Sequence, residues 1–451
     1  MTAAAKGAKR SLKIRQPRNT LQNLWRCLFL IWALDVALLI TALIGSGVHR
    51  DAMKAVAVDS APSIIAAQEI KYELADMDAN AANELLGEAN QEAYDKQRNG
   101  AATSLIKAAK NITYEGEEGK ITDIQTNLGL YEIQIQRARD LAERKDKLYV
   151  NAYRDAAATM DTKLLKSADE LDKINDRELK GAYESLKSHS GITNFGILAA
   201  GVALLAVLIS VQKFLNDRTH RVLNPLLVAA TLIALSFLGY TISRLDAESR
   251  HLKVVKKDAF DSMSALLRAR AIAYAANADE SRFLLDRDHA NQYDAAFFDK
   301  SAQLARLPSG MNYNSVAASE ERRRKVSGFR GLLADELHNI TFADEGEGQK
   351  AAETLRQWGR YVDVDQRIRD YEKDGNHAAA IKLCVGESNQ VFDDFNSALK
   401  ATFDVNDAAF KANRDAGFEA LSNFEAKAVG VAIVIALLGY FGLLPRIREY
   451  Q

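Results

Sequence analysis

Four blocks of this chain are almost uninterrupted in apolar residues: Leu28–Val48, Ile192–Val211, Leu226–Ser243 and Val429–Leu444. Each approaches the ~20 residues that carry a helix across ~30 Å of hydrocarbon, the last two being short. Between the blocks the pattern changes. Ala67, Ile70, Leu74, Met77, Ala81 and Leu85 recur at a 3/4 spacing, as do Met160, Leu164, Ala168 and Leu171, which marks one buried stripe of an amphipathic helix. The first long segment therefore predicts four helices, about 49–87, 89–109, 120–143 and 147–190. The outer two continue the flanking spans, with a candidate break at Pro62. At 1.5 Å per residue the last would run ~65 Å from the membrane. The middle two form the distal part of an antiparallel bundle. Asn224-Pro225 reads as an N-cap followed by an N1 proline opening the third span, and Pro445 as the end of the fourth.

The second long segment repeats the first. Leu85-Leu86 with Tyr94-Asp95 matches Leu284-Leu285 with Tyr293-Asp294 at an offset of 199. Asn111-Ile112-Thr113-Tyr114 with Glu117 matches Asn339-Ile340-Thr341-Phe342 with Glu345 at 228. Gly129, Tyr131, Gln136, Arg137, Arg139 and Asp140 match Gly359, Tyr361, Gln366, Arg367, Arg369 and Asp370 at 230. Three matches in one order predict an internal duplication of the unit span, bundle, span. The jump in offset places an insertion around 303–330, with Pro308, Gly310 and the basic run Arg322–Lys325. The expected fold class is an all-α membrane protein with four transmembrane helices and two tandem extracytoplasmic four-helix bundles.

Charge sets the orientation. Residues 1–26 carry Lys6, Lys9, Arg10, Lys13, Arg15, Arg18 and Arg26 and no acid. The loop between spans two and three carries Lys213, Arg218 and Arg221 against Asp217, and the tail Arg446 and Arg448 against Glu449. These three pieces belong inside, which puts both termini in the cytoplasm of a multi-pass cell-membrane protein. The expected partition is a basic tail 1–26, spans 27–48, 192–211, 225–243 and 429–444, an inner loop 212–224, an inner end 445–451, and outer bundles 49–191 and 244–428. The first span is long for a signal peptide and lacks a clear A-x-A site, so it reads as an uncleaved anchor. The inner pieces are too small for a kinase or cyclase module, so any output passes through a partner. Five prolines suit long helices, since average usage would give roughly 20 in this length. A net charge of −1 excludes a wholesale electrostatic binder of nucleic acid. Cys27, at the inner membrane edge, and Cys384, in the outer segment, cannot pair.

No motif carries catalysis. Asp76-x-Asp78-x-Asn80 resembles the start of a calcium loop, but Ala81 and Gly87 stand where Gly and Glu are needed. Gly116-Glu-Glu-Gly119-Lys120 has the wrong spacing for a P-loop, and the seven histidines form no metal-ligand pair. No enzyme activity, cofactor or metal is expected. Tyr131 and Tyr361 head the best-matched helix: either they are core tyrosines with Arg139 and Arg369 in interhelical ion pairs, or these four contact a ligand or partner. Asn111 and Asn339 suit left-handed helix ends. Asp35 in the first span is an interhelical contact or an intramembrane signalling element. Gly196/Gly201 and Gly439/Gly442 suit close helix packing.

Tandem outer four-helix bundles resemble the ligand-binding domains of bacterial chemoreceptors and sensor kinases. Leu74–Leu86, Asn277–Leu285, Asn339–Glu345, Tyr361–Asp370 and Asp374–Ile381 further resemble an actinobacterial four-span membrane protein encoded beside protein kinase G and a solute-binding lipoprotein. The Pro-poor, Lys-rich outer regions depart mildly from that group. The resemblance implies a non-enzymatic transducer relaying extracellular aspartate or glutamate status to a cytoplasmic Ser/Thr kinase. The implied partners are an extracytoplasmic solute-binding protein, that kinase and membrane lipid, with a homodimer open to it. A cell-envelope scaffold and a transporter are the other classes the residues leave open. One buried charge in four spans offers a transporter little substrate path.

The topology predicts that Cys27 is unreachable by a membrane-impermeant thiol reagent in intact cells, whereas a cysteine introduced at Ala102 labels. Labelling of a cysteine placed within 216–221 would overturn it.

Overall fold

A computed structural model describes residues 18–87, 91–219, 224–342 and 346–449. It is 89% helical, with no strand among the described residues. The helices of the first half are α1 (Arg18–Lys54), α2 (Ala61–Leu85), α3 (Gln91–Lys110), α4 (Glu117–Glu143), α5 (Tyr149–Thr159) and α6 (Leu165–Thr219). The second half has α7 (Pro225–Lys253), α8 (Asp261–Leu285), α9 (Ala290–Leu304), α10 (Tyr313–Glu321), α11 (Leu332–His338), α12 (Glu347–Lys373), α13 (His377–Leu383), α14 (Asn389–Ala420) and α15 (Phe424–Glu449). Two compact units result. One gathers 18–51, 185–248 and 418–449; the other gathers 52–184 and 249–417.

The first unit holds the apolar spans, and four helical runs are long and apolar enough to cross a membrane. Leu28, Ile31, Leu38, Leu204, Leu208 and Ile435 form its core, while Phe29, Ile44, Phe195, Leu232 and Phe441 point outward, as lipid contact requires. Asp35 is buried on the helix face of Ile31, Leu38 and Ala42. Of Gly196, Gly201, Gly439 and Gly442, the closest approaches are at Gly201 and Gly442: a Cβ would lie 2.7 Å from Leu238 at the first and 3.2 Å from Leu227 at the second. Asn224 Oδ1 accepts from Leu226 N at 3.1 Å and caps α7. Pro445 does not end the fourth helix, which runs through it to Glu449. Its missing N–H deprives only the Phe441 carbonyl, near the helix end, and Asn224 Nδ2 donates to the adjacent Gly442 carbonyl at 2.6 Å. His49 and Glu248, related by the offset of 199, are both buried and meet at 2.5 Å.

The second unit packs the two bundles side by side through α2 and α8. Ala67, Ile70, Leu74, Met77, Tyr131, Tyr153 and Leu164 fill the first core; Trp358, Tyr361, Phe392 and Phe395 fill the second. Four short π-helical segments interrupt the α-helices at Ala55–Ser60, Met160–Leu164, Val254–Phe260 and Cys384–Ser388. Such segments make up well under 1% of residues in ordinary proteins. Pro62 breaks nothing. It sits in the first turn of α2, directly after a π segment, where a missing N–H is harmless.

The Asn-Ile-Thr motifs are tied to these segments. Asn111 Nδ2 donates to the Asp59 carbonyl at 2.9 Å and to Ser63 Oγ at 2.6 Å. Asn339 Nδ2 donates to Ser262 Oγ at 2.8 Å and reaches the Asp258 carbonyl at 3.5 Å. Widening a helix from α to π displaces carbonyls from their usual donors, and each asparagine supplies one. Neither is left-handed: Asn339 has φ −104°, and the positive-φ residues other than glycine are Lys145, Arg323 and Asn423. An asparagine whose amide is needed across the helix interface has no reason to turn back on its own helix end. After each motif a buried glutamate takes two backbone N–H groups in one oxygen. Glu117 Oε2 accepts from Thr113 and Tyr114 at 2.7 and 2.8 Å, and Glu347 Oε2 from Thr341 and Phe342 at 2.8 Å each. The counterpart of Glu117 is thus Glu347; Glu345 lies outside the described residues. The insertion around 303–330 is pinned by an antiparallel backbone bridge between Arg306 and Arg330 and lends Val316, Ala317 and Phe329 to the core.

Glu336 in α11 is buried beside the Glu347 carboxylate, with Asn406 Nδ2 donating to Oε1 at 3.3 Å. Burial and then Glu347 push its carboxyl up to about 8. The fold therefore keeps a proton that the unfolded chain releases near its ordinary carboxylate value. The native state binds more protons, so stability falls as pH climbs from about 4.5 to about 8. Glu336→Gln should flatten that part of the profile. In detergent, the wild type should lose several more degrees of melting temperature than the variant between pH 5 and pH 8; parallel profiles would refute the assignment.

Candidate functional site

The four matched aromatic and basic residues lie in the bundle cores or beside them. Tyr131, on α4, is fully buried and donates from Oη to Asp78 Oδ1 at 2.9 Å. Tyr361, on α12, is equally buried and accepts from Asn277 Nδ2 at 3.3 Å. Asp78 and Asn277 are themselves 199 apart. Burial holds both phenols well above their ordinary value. Arg139 gives Glu84 Oε2 two hydrogen bonds, at 2.6 and 3.1 Å, and lies 4.4 Å from the Tyr94 ring centre. Arg369 grips Asp365 through both oxygens at 2.7 and 2.8 Å, pairs with Asp294, and is ringed by Phe283, Phe297 and Phe298. Each arginine already holds carboxylates of its own chain.

The α2–α8 contact carries a denser constellation. Arg282, on α8 and 2% exposed, enters the first bundle. Its guanidinium donates to Asp78 Oδ2 at 2.6 Å, to Asp161 Oδ2 at 3.0 Å, to Asp279 Oδ1 at 3.1 Å and to Tyr153 Oη at 3.3 Å. Lys300 pairs with the far oxygen of Asp279. Burial raises the Asp78 carboxyl and Arg282 opposes that rise. The residue 199 positions earlier, Asn83 on α2, makes the reverse move into the second bundle. Its Oδ1 accepts from Ser281 Oγ at 2.6 Å and lies 4.0 Å from Cys384 Sγ, while Nδ2 faces Asn389 Oδ1 at 3.4 Å. Each half thus inserts one polar side chain into the core of the other. Sequence reading missed Arg282. The signal was present, because the offset of 199 sets Asn83 against Arg282 and Asp78 against Asn277.

Beside this contact lies a cleft of about 630 Å³ lined by Lys71, Asp169, Asp172, Arg268 and Asp335. Its size is that of a small-molecule site. Lys71 pairs with Asp169, and Arg268 Nη2 donates to Asp172 Oδ2 at 3.2 Å. The other Asp172 oxygen is buried with no partner among the described residues. Across the α2–α8 contact, Glu73 and Asp76 are buried carboxyls pushed up to about 7, chiefly by desolvation, and Arg270 stacks 3.8 Å from the Tyr72 ring centre. No group of three or more His, Cys, Asp or Glu suited to a metal ion occurs among the described residues.

The fold is all-helical, with four helical runs long and apolar enough to cross a membrane. Residues 52–184 match the family described as an actinobacterial sensor domain. That match is coextensive with the first bundle's share of its unit, Ala52–Glu184, and supports a sensory role. No curated protein and no solved structure matches the chain.

Arg282→Ala removes the only cation paired with the buried Asp78 carboxylate among the described residues, while Asp279 keeps Lys300, and should cost about 3–5 kcal/mol. Adding Asp78→Asn should recover part of the loss. A double-mutant cycle by chemical denaturation of the full chain measures the coupling, and strict additivity would refute the pairing.

Proposed function

We propose that the chain is a transmembrane signal transducer whose tandem bundles sense an extracellular solute and pass the result to a cytoplasmic partner. The observation that carries this reading is the sensor-family match on 52–184, within a chain whose four helical runs each join an apolar span to a bundle helix. Those runs are Leu21–Leu85, Tyr149–Asp217, Pro225–Leu285 and His377–Glu449. A displacement imposed on a bundle helix has a covalent path into a span. The mixed charge of the Lys71–Asp172–Arg268 cleft suits a small polar solute, met directly or delivered by a solute-binding lipoprotein. An acidic amino acid is the solute and a Ser/Thr kinase the partner in the finer form of this reading. Both termini are inside, and no catalytic chemistry is assigned to the chain. The same helical shape would serve an envelope scaffold, and partner identity separates the two.

Crosslinking in native membranes, with identification of the captured partners, tests the reading. A solute-binding protein outside and a kinase inside support it; peptidoglycan-associated proteins alone overturn it. The basic tail, whose residues 1–17 lie outside the described structure, is the largest inner piece. Arg18, Arg26 and the other inner positive charges suffice for orientation. Deletion of 2–15 should therefore leave insertion and solute reception intact and abolish the intracellular response. An unchanged response to extracellular solute would move the exit to the 212–224 loop or to Arg446–Gln451.

A further inference from the structure

Helices α7 and α15 leave a groove of about 410 Å³ in the membrane-spanning unit, lined by Leu232, Phe237, Tyr240, Val431 and, at one end, Lys427. Its walls are apolar along the spans apart from Ser236 and carry charge only at that end. The surface around it is greasy: Leu232, Leu235, Ile433 and Val434 are 43–59% exposed. Such a surface lies against hydrocarbon. At the polar end two exposed cations converge on one aromatic ring. Lys427 Nζ donates to Tyr240 Oη at 3.4 Å, and the Arg244 guanidinium stands 5.2 Å from the Tyr240 ring centre. Both cations meet the tyrosine rather than a carboxylate. Tyrosine belongs at the level of the lipid headgroups, with its ring in the apolar layer and its hydroxyl in the polar one, and lysine and arginine reach outward to the same level.

We propose that this groove binds an anionic phospholipid, one acyl chain against Leu232, Phe237 and Val431 and the phosphate at Lys427 and Arg244. The pattern of the lining selects this occupant. A free anion would use the cations and leave the apolar wall idle. A neutral lipid would use the wall and leave the cations idle. A partner helix would gain from small residues along the groove, whereas its walls carry Leu, Ile, Phe, Tyr and Val with one small residue, Ser236. The lipid would brace α7 against α15, the first span of the second half against its last.

The test uses the full chain in detergent, with native mass spectrometry of bound lipid after addition of phosphatidylglycerol or phosphatidylcholine of identical acyl chains. Wild type should retain phosphatidylglycerol preferentially, by about fivefold for each cation engaged. The Lys427→Gln/Arg244→Gln variant should retain the two lipids equally, and Lys427→Arg/Arg244→Lys should keep the preference. Ser236→Phe, which fills the groove, should lower retention of both lipids. Equal retention by wild type, a preference unmoved in the Gln variant, or retention unmoved by Ser236→Phe would each overturn the proposal. So would release of phosphatidylglycerol by inorganic phosphate but not by chloride of equal ionic strength, because that marks a headgroup-only anion site.

Discussion

The arrangement of the two bundles hangs on the charge of Arg282. A guanidinium withdrawn from water is tolerable only when carboxylates meet it in good geometry. Here they come from three places: Asp78 on α2, Asp161 on the π segment after α5, and Asp279 one turn back on α8. Sliding α8 along α2 would pull the guanidinium from Asp78 and leave a buried charge unmet. Asn83, reaching the other way, repeats the constraint with neutral groups. The first bundle accepts a charge and the second an amide, so the two halves are locked by unequal interactions at equivalent positions.

A lock of this kind restricts what motion is available to a sensor. Separating the bundles exposes buried charge and is expensive, whereas a change of helix register within a bundle avoids that separation. The π segments are where register is adjustable, since one residue more or less in a turn rotates the downstream helix by about 100° and shifts it by about 1.5 Å. Small discrete shifts of this size are the working range of helix-based switches. Asn111 and Asn339 hold the first π segment of each half by its carbonyls, so the present register is fixed by side chains on other helices and not by the segment alone.

Most of the architecture was legible because burial writes itself into spacing. The four apolar blocks and the 3/4 stripes required nothing beyond period and length, and Asn224-Pro225 behaved as local chemistry dictates. The losses have a common physical origin in contacts between distant residues. The asparagines of the Asn-Ile-Thr motifs stand at helix ends as expected, yet their amides answer to carbonyls about 50 and 80 residues away, which no local turn preference encodes. Pro445 stays helical near a helix end, where only the Phe441 carbonyl loses its donor, and Asn224, the cap of α7, donates to the neighbouring Gly442 carbonyl. The repeat placed the buried tyrosines at matching positions, but their partners, Asp78 and Asn277, lie on helices chosen by packing. The cross-half contacts of Arg282 with Asp78 and of His49 with Glu248 were illegible because they form only once the two halves are side by side. The π segments left no trace in the periodicity, since a single widened turn displaces the stripe by less than its own width.

The two features are not independent. Asp161, one of the carboxylates on Arg282, belongs to the π segment Met160–Leu164. In the other bundle, the π segment Cys384–Ser388 places Cys384 beside Ser281 and Asn83, and its Ser388 hydroxyl donates to the buried Glu280 at 2.8 Å. So the polar side chain that each half inserts into the other, or its immediate neighbours on α8, is met by an adjustable turn of the host bundle. A register change there would have to release Asp161 from Arg282, and a shift of Arg282 would have to move Asp161. Such mutual dependence is what a coupling free energy between two sites consists of. It also assigns the direction of sensitivity: the charged contact in the first bundle resists the change more than the Ser–Glu and Asn–Cys contacts in the second. The second bundle is therefore the softer of the two at this contact.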